Sequence, residues 1–191
     1  KVYKLLSRFS SKGFTLVEMV LVIIVIGVIG SMASIILYEG SVVFTSETNR
    51  QGFVSQSRTA FWNIMRNVQG QANPENFYFS NSKNIYTKNA VGEQKEFRIH
   101  DSGSLDLNLG TETYHSLSSD ISVTGTVGFS YFDKQNYPID PGDSGLSKEM
   151  ANQVHSSRVQ VLFKNGQDSL YLDTYIYPIN SRFGKKMSYH Q

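Results

Sequence analysis

The sequence contains no cysteine. Disulfides and thiolate metal sites are therefore excluded, and any exported portion must stand on packing alone. The first 13 positions lack acidic residues but hold Lys1, Lys4, Arg8 and Lys12. The whole chain carries +2, so the +4 of this short segment leaves −2 for everything after it. A body that close to neutral, mixed in sign, offers no dedicated nucleic-acid surface. Phosphate-binding loops and G-x-S-x-G elbows are absent. His115, His155 and His190 stand alone, without metal-ligand spacing. His100-Asp101-Ser102 holds the side chains of a hydrolase triad, but consecutive residues cannot converge on one substrate. A strand end and polar turn are expected there. No enzyme activity, cofactor or metal is expected.

What is present is one long apolar run, Phe14 to Tyr38 in "SKGFTLVEMVLVIIVIGVIGSMASIILY". As a helix it spans roughly 37 Å, enough for the ~30 Å hydrocarbon core of a bilayer. It shows no polar stripe after Glu18, unlike the core helix of a soluble domain. It is too long for a cleaved secretory signal, whose apolar core covers about 7–15 residues. Small residues such as Gly30, Ser31, Ala33 and Ser34 are interleaved with Met32, Ile35 and Ile36 rather than following the run. With the cations on its N-terminal flank, the N-terminus is expected in the cytoplasm and the rest across the membrane.

A third option places processing before the run. Gly13 has no side chain, so its backbone can lie close to a protease in extended form. A cut after Gly13 leaves a new α-amine on Phe14, near the single carboxylate of the run, Glu18. A carboxylate at mid-bilayer costs about 2.5–3.5 kcal/mol, less near an end, so it calls for a partner. That partner is the chain's own α-amine or, when helices stack, the amine of a neighbour. Glu18 would then act as a register key for assembly. The plainer alternative is a glutamate snorkelling at a helix start, where the dipole favours an acid.

"KGFTLVEMVLVIIVIG" resembles the class III signal of type IV pilins and type II secretion pseudopilins. The likeness rests on the basic leader, Gly13, Phe14, Thr15 and the spacing to Glu18. It implies that prepilin peptidase cuts between Gly13 and Phe14 and that Phe14 is then N-methylated. It also implies that Glu18 pairs with the terminal amine of a neighbouring subunit. The sequence departs from many major pilins in lacking a proline near the middle of the helix, where Ile35 and Ile36 stand.

Beyond the membrane segment the pattern turns amphipathic. Phe61, Ile64, Met65 and Val68 form a helical stripe, preceded by the less regular Val43, Phe53, Val54 and Ala60. Trp62 is expected to anchor this stretch on a β-rich body. Gly70 and Asn73-Pro74 end the helix. Residues 71–96 read as a connecting loop with one short strand near Ile85-Tyr86. Alternation then marks strands at 97–99, 105–109, 121–132, 158–163 and 170–177. Asn165-Gly166 predicts a hairpin between the last two. The segment "DKQNYPIDPGDSGLSKEMANQVHSS" reads as a long loop. Its Asp140, Asp143 and Glu149 offer hard oxygens without a full calcium-loop pattern, so a solvated acidic loop is expected.

"VGFSYFD", "SRVQVLF" and "DTYIYPINSR" resemble the closing segments of J-type minor pseudopilins and related minor pilins. The combined expectation is an α+β, pilin-like fold. It comprises a cleaved cytoplasmic leader at 1–13, a transmembrane half-helix at 14–38, an amphipathic periplasmic half at 39–69 and an antiparallel β-rich head at 70–191. The expected role is structural. The chain polymerises through its helix into a type IV pilus or secretion pseudopilus, at or near the tip or in initiation. The implied partners are other pilin or pseudopilin subunits, prepilin peptidase, an inner-membrane assembly platform and lipid. Nucleic acid is not expected, and the basic tail "RFGKKMSYHQ" reads as a solvated end. The rival reading is a single-pass, membrane-tethered binding or sensor module that never polymerises.

Overall fold

The computed structural model describes residues 13–111, 113–123 and 127–179. The chain divides into two compact units, Lys1–Asn49 and Arg50–Gln191. Helix α1, Leu16–Gln69, contributes to both. No proline precedes Pro74, so nothing in the sequence interrupts the helical ladder. Its threonines are folded into that ladder. The hydroxyls of Thr45, Thr48 and Thr59 donate to the carbonyls of Ser41, Phe44 and Ser55 at 2.8–2.9 Å. The helix closes where the Gly70 N–H donates to the Arg66 carbonyl at 3.0 Å. A single 3-10 turn, Pro74–Phe77, follows.

In the second unit α1 buries Phe53, Ser57, Ala60, Phe61, Ile64 and Val68. The expected stripe is there, with Met65 half-buried beside it. Trp62 is a correction: it is 61% exposed and anchors nothing in this unit. Each residue advances the helix about 100°, so turning Phe61 and Ile64 inward leaves position 62 outside.

The head holds two antiparallel sheets rather than one. The first is a meander of β1 (Asn84–Lys88), β2 (Gln94–Ile99), β3 (Leu105–Asn108) and β4 (Tyr114–Ser118). The second contains β5 (Gly128–Phe132), β6 (Pro138–Ile139), β7 (Ser156–Asn165) and β8 (Asp168–Ile176), in the order β6-β5-β7-β8. The predicted hairpin is present: β7 and β8 pair antiparallel from Ser157–Ile176 to Asn165–Asp168. Its turn centres on Gly166-Gln167, with Gly166 at φ 59°, so Asn165 closes the strand instead of opening the turn.

Two seams join the sheets. The Phe129 N–H donates to the Ser82 carbonyl at 2.8 Å, and Ile121 bridges Phe163. Only glycine fits the first seam at position 128. Its φ is 146°, and a Cβ there would lie 2.3 Å from the Ser82 oxygen. The core runs from the α1 stripe through Phe77, Ile85, Phe97 and Leu105 to Tyr131, Val159, Val161 and Phe163. The buried Tyr131 hydroxyl donates to the Asn81 carbonyl at 3.0 Å, and burial pushes its pKa well up.

Other expectations change in detail. The strand expected over 121–132 is confined to Gly128–Phe132, because Ile121 makes only an isolated bridge; residues 124–126 lie outside the described residues. The loop expected after Phe132 contains β6 and a short helix, α2 (Lys148–Gln153). The Ser147 hydroxyl caps α2 by accepting from the Met150 N–H at 3.2 Å. Strand β4 escaped notice because its side chains are mostly exposed, leaving no apolar alternation to read. The basic tail from Arg182, with His190, lies outside the described residues.

Candidate processing and assembly segment

The segment begins at Gly13, just before α1. Among the described residues, a Cβ added there would meet nothing within 4 Å, so they make no demand for glycine. Phe14 is 71% exposed. Thr15 and Glu18 form a reciprocal cap. The Glu18 N–H donates to Thr15 Oγ1 at 3.3 Å, while Glu18 Oε2 accepts from the Thr15 N–H at 3.4 Å. These are the two halves of a capping box, which satisfies N–H groups that a helix start leaves without partners. Both bonds are long, and both groups are exposed. This local role for Glu18 is legible in the sequence as Thr-x-x-Glu ahead of an apolar run, a signal that the sequence reading passed over.

From Leu16 to Phe44 the large apolar side chains are uncovered: Ile23 is 66%, Ile29 62% and Leu37 74% exposed. The helix is long and apolar enough to cross a membrane, with a mean hydropathy of 2.9 in its most apolar window, none of which is buried. The polar atoms within it are served internally. Ser31 and Ser34 donate to the carbonyls of Val28 and Gly30 at 2.8 and 2.9 Å. Between Glu18 and Tyr38 a helix so arranged presents mainly hydrocarbon to its surroundings, which a bilayer or a bundle of like helices accepts and water does not.

The other sequence candidates stay apart. In the His100 turn, His100 Nδ1 lies 2.8 Å from Ser102 Oγ, but Asp101 turns away to Lys83. The Lys83 ammonium holds the Asp101 carboxyl below its usual range. An Asp engaged with Lys83 does not orient the imidazole, so this is a polar turn. Asp140 Oδ1 accepts from the Gly142 N–H at 3.0 Å, and Glu149 lies in the first turn of α2. Among the described residues no cluster of His, Asp and Glu is arranged to hold a metal ion.

Helix and two antiparallel sheets together make an α+β, pilin-like fold. Residues 8–34 match the family model of the prokaryotic N-terminal methylation motif. The chain thus carries the class III signal of type IV pilins and pseudopilins. The motif implies a structural, pilin-type subunit, processed by prepilin peptidase and assembled with other pilin subunits. Together with the apolar helix it fits anchoring in the inner membrane and incorporation in a pilus. No curated protein and no solved structure matches the chain.

Proposed function

We propose that this chain is a minor pilin or pseudopilin that polymerises through α1 after cleavage between Gly13 and Phe14 and N-methylation of Phe14. One observation carries the reading. The methylation motif, residues 8–34, overlaps the stretch from Leu16 onward where the helix leaves its apolar side chains uncovered. A glycine at 13 that the described residues do not need supports recognition by a peptidase. On this reading residues 14–38 span the inner membrane with the leader cytoplasmic, and the head from residue 70 lies in the periplasm. An assembly platform in the membrane receives the helix, and its neighbours are other pilin-like subunits. The placement near the tip or in initiation rests on the likeness of the closing segments to J-type subunits.

Glu18 keeps two roles in this proposal, cap and key. Its carboxylate caps Thr15 within the chain and meets the Phe14 amine of a neighbour in the assembly. Two variants separate the roles. Glu18→Gln retains an oxygen for the Thr15 N–H but loses the charge, and Glu18→Ala loses both. The test follows N-terminal mass and crosslinking to companion pilins in membranes, with Gly13→Leu as the processing control. We expect Gly13→Leu to block maturation. Both Glu18 variants should mature, with termini at methylated Phe14, and lose their crosslinks. Restoration of crosslinks by Gln would leave only the cap. Unchanged crosslinks in both variants would remove the key and leave a glutamate snorkelling at the helix start, whereas a wild type without crosslinks to companion pilins would favour a tethered module that does not polymerise.

A further inference from the structure

The outer face of the β1–β4 sheet carries a row of directly opposed residues, Tyr86–Glu96–Asn108–Tyr114, one from each strand. Glu96 in this row is only 9% exposed. The Tyr114 hydroxyl donates to its Oε2 at 2.9 Å. Tyr86 stands on the other side and is also hydrogen-bonded to Glu96; burial first, then the Glu96 charge and this bond, push its phenol up to about 12. No cation lies within ion-pair distance of Glu96 among the described residues. The nearest guanidinium on this face, Arg98, sits 3.8 Å over the Tyr114 ring and 3.7 Å from Asp106. The two phenols occupy only part of the carboxylate's four or so acceptor positions, which leaves it room for further donors.

Glu96 lines a cavity of about 290 Å³ between the 3-10 turn, the ends of β1 and β2 and the loop after β3. That is at the small end of ligand pockets, about 300 Å³, and suits a ligand of ring size. The lining charges balance: Glu75 and Glu96 against Lys88 and Lys95. Such a pocket favours neither anions nor cations by its net charge. Tyr78 and Tyr86 add apolar ring surface, and Asn108 adds an amide. Aromatic faces beside a carboxylate and an amide match one chemistry well. A sugar ring presents hydroxyls as donors to the oxygens and C–H faces to the phenols.

We propose that this cavity is a saccharide site, in which the enclosed Glu96 carboxylate accepts hydroxyl hydrogen bonds from a neutral sugar ring. The inference goes beyond the pilin reading and does not depend on it. The test uses the full chain in micelles of a detergent without a sugar head group. Saturation-transfer NMR is run with glucose, galactose and N-acetylglucosamine, and with methylammonium and inorganic phosphate as ionic probes. We expect transfer to at least one sugar and to neither ion. Binding should weaken on the order of tenfold in Glu96→Ala. Tyr78→Ala removes a ring from the wall and should weaken the same sugar, which keeps the test decisive if Glu96→Ala does not fold. Absence of transfer to all three sugars overturns the site. So does preference for either ion, or full sugar binding in a folded variant of either residue.

Discussion

Within the single helix α1, two stretches that both carry large apolar side chains have opposite surroundings. Between residues 16 and 44 the aliphatic side chains are bare, as at Ile24, 60% exposed, and Ile36, 69% exposed. Between residues 53 and 68 the apolar side chains recur on one face and vanish into the head, with Ile64 and Val68 at 0% exposure. The same residue type thus serves two solvents. In the later stretch, Thr59 and Arg66 hold the outer face and the sheets supply the cover. In the earlier stretch the described residues supply no cover, and the balance of forces calls for hydrocarbon from outside.

The sharpest way to break this comparison is a matched pair of truncations. Ile64→Ala should lower head stability by about 2–5 kcal/mol, through lost burial and the cavity left behind. Ile24→Ala should leave head stability unchanged within about 0.5 kcal/mol, because that side chain belongs to the other compact unit and is 60% exposed there. Denaturant melts followed by tyrosine and tryptophan fluorescence in micelles read both. Equal losses would mean that the two stretches share one packing environment.

Trp62→Ala sharpens the comparison within the later stretch. Arg58, Trp62 and Arg66 lie outside on successive turns, so truncating the ring should shift stability by no more than about 0.5 kcal/mol. Crosslinking to companion subunits should nevertheless fall if this face meets neighbours. A stability loss as large as that of Ile64→Ala would show that the ring is packed.

The smallest effect is electrostatic. Arg158 donates two hydrogen bonds to Asp173 across β7 and β8, at 2.9 and 2.6 Å. Hydrogen bonding from Arg158 holds the Asp173 carboxyl below its usual range. A folded-state pKa below the unfolded value gives stability that is complete above the unfolded pKa of about 3.9. That stability is lost as the pH falls through the lower folded value. Wild type should therefore melt slightly above Asp173→Asn at pH 7, and the gap should close below about pH 4. A gap that widens in acid would contradict the sign.

Most of the long helix was legible because its signals are local. The motif around Gly13 and Glu18, the absence of proline before Pro74 and the stripe ending at Val68 all lie within a few turns. The β7–β8 hairpin was legible for the same reason, through alternation and one glycine. Trp62 misled because a bulky aromatic beside an apolar stripe does not announce which side of Phe61 it takes. Strand β4 was illegible because it buries little, and α2 because its cap and six residues are too short for a periodic signal.

By itself, then, the sequence determined the processing motif, the helix, its apolar span and the antiparallel character of the head. These follow from neighbours along the chain, whose spacing sets capping, periodicity and turn geometry. Only the tertiary structure decided that the strands divide into two sheets, that Gly128 must face the Ser82 carbonyl, and that Glu96 ends up enclosed between Tyr86 and Tyr114. Those outcomes depend on residues far apart in the chain meeting across strands. Their register is set by the packing of the whole core, and no local pattern encodes it.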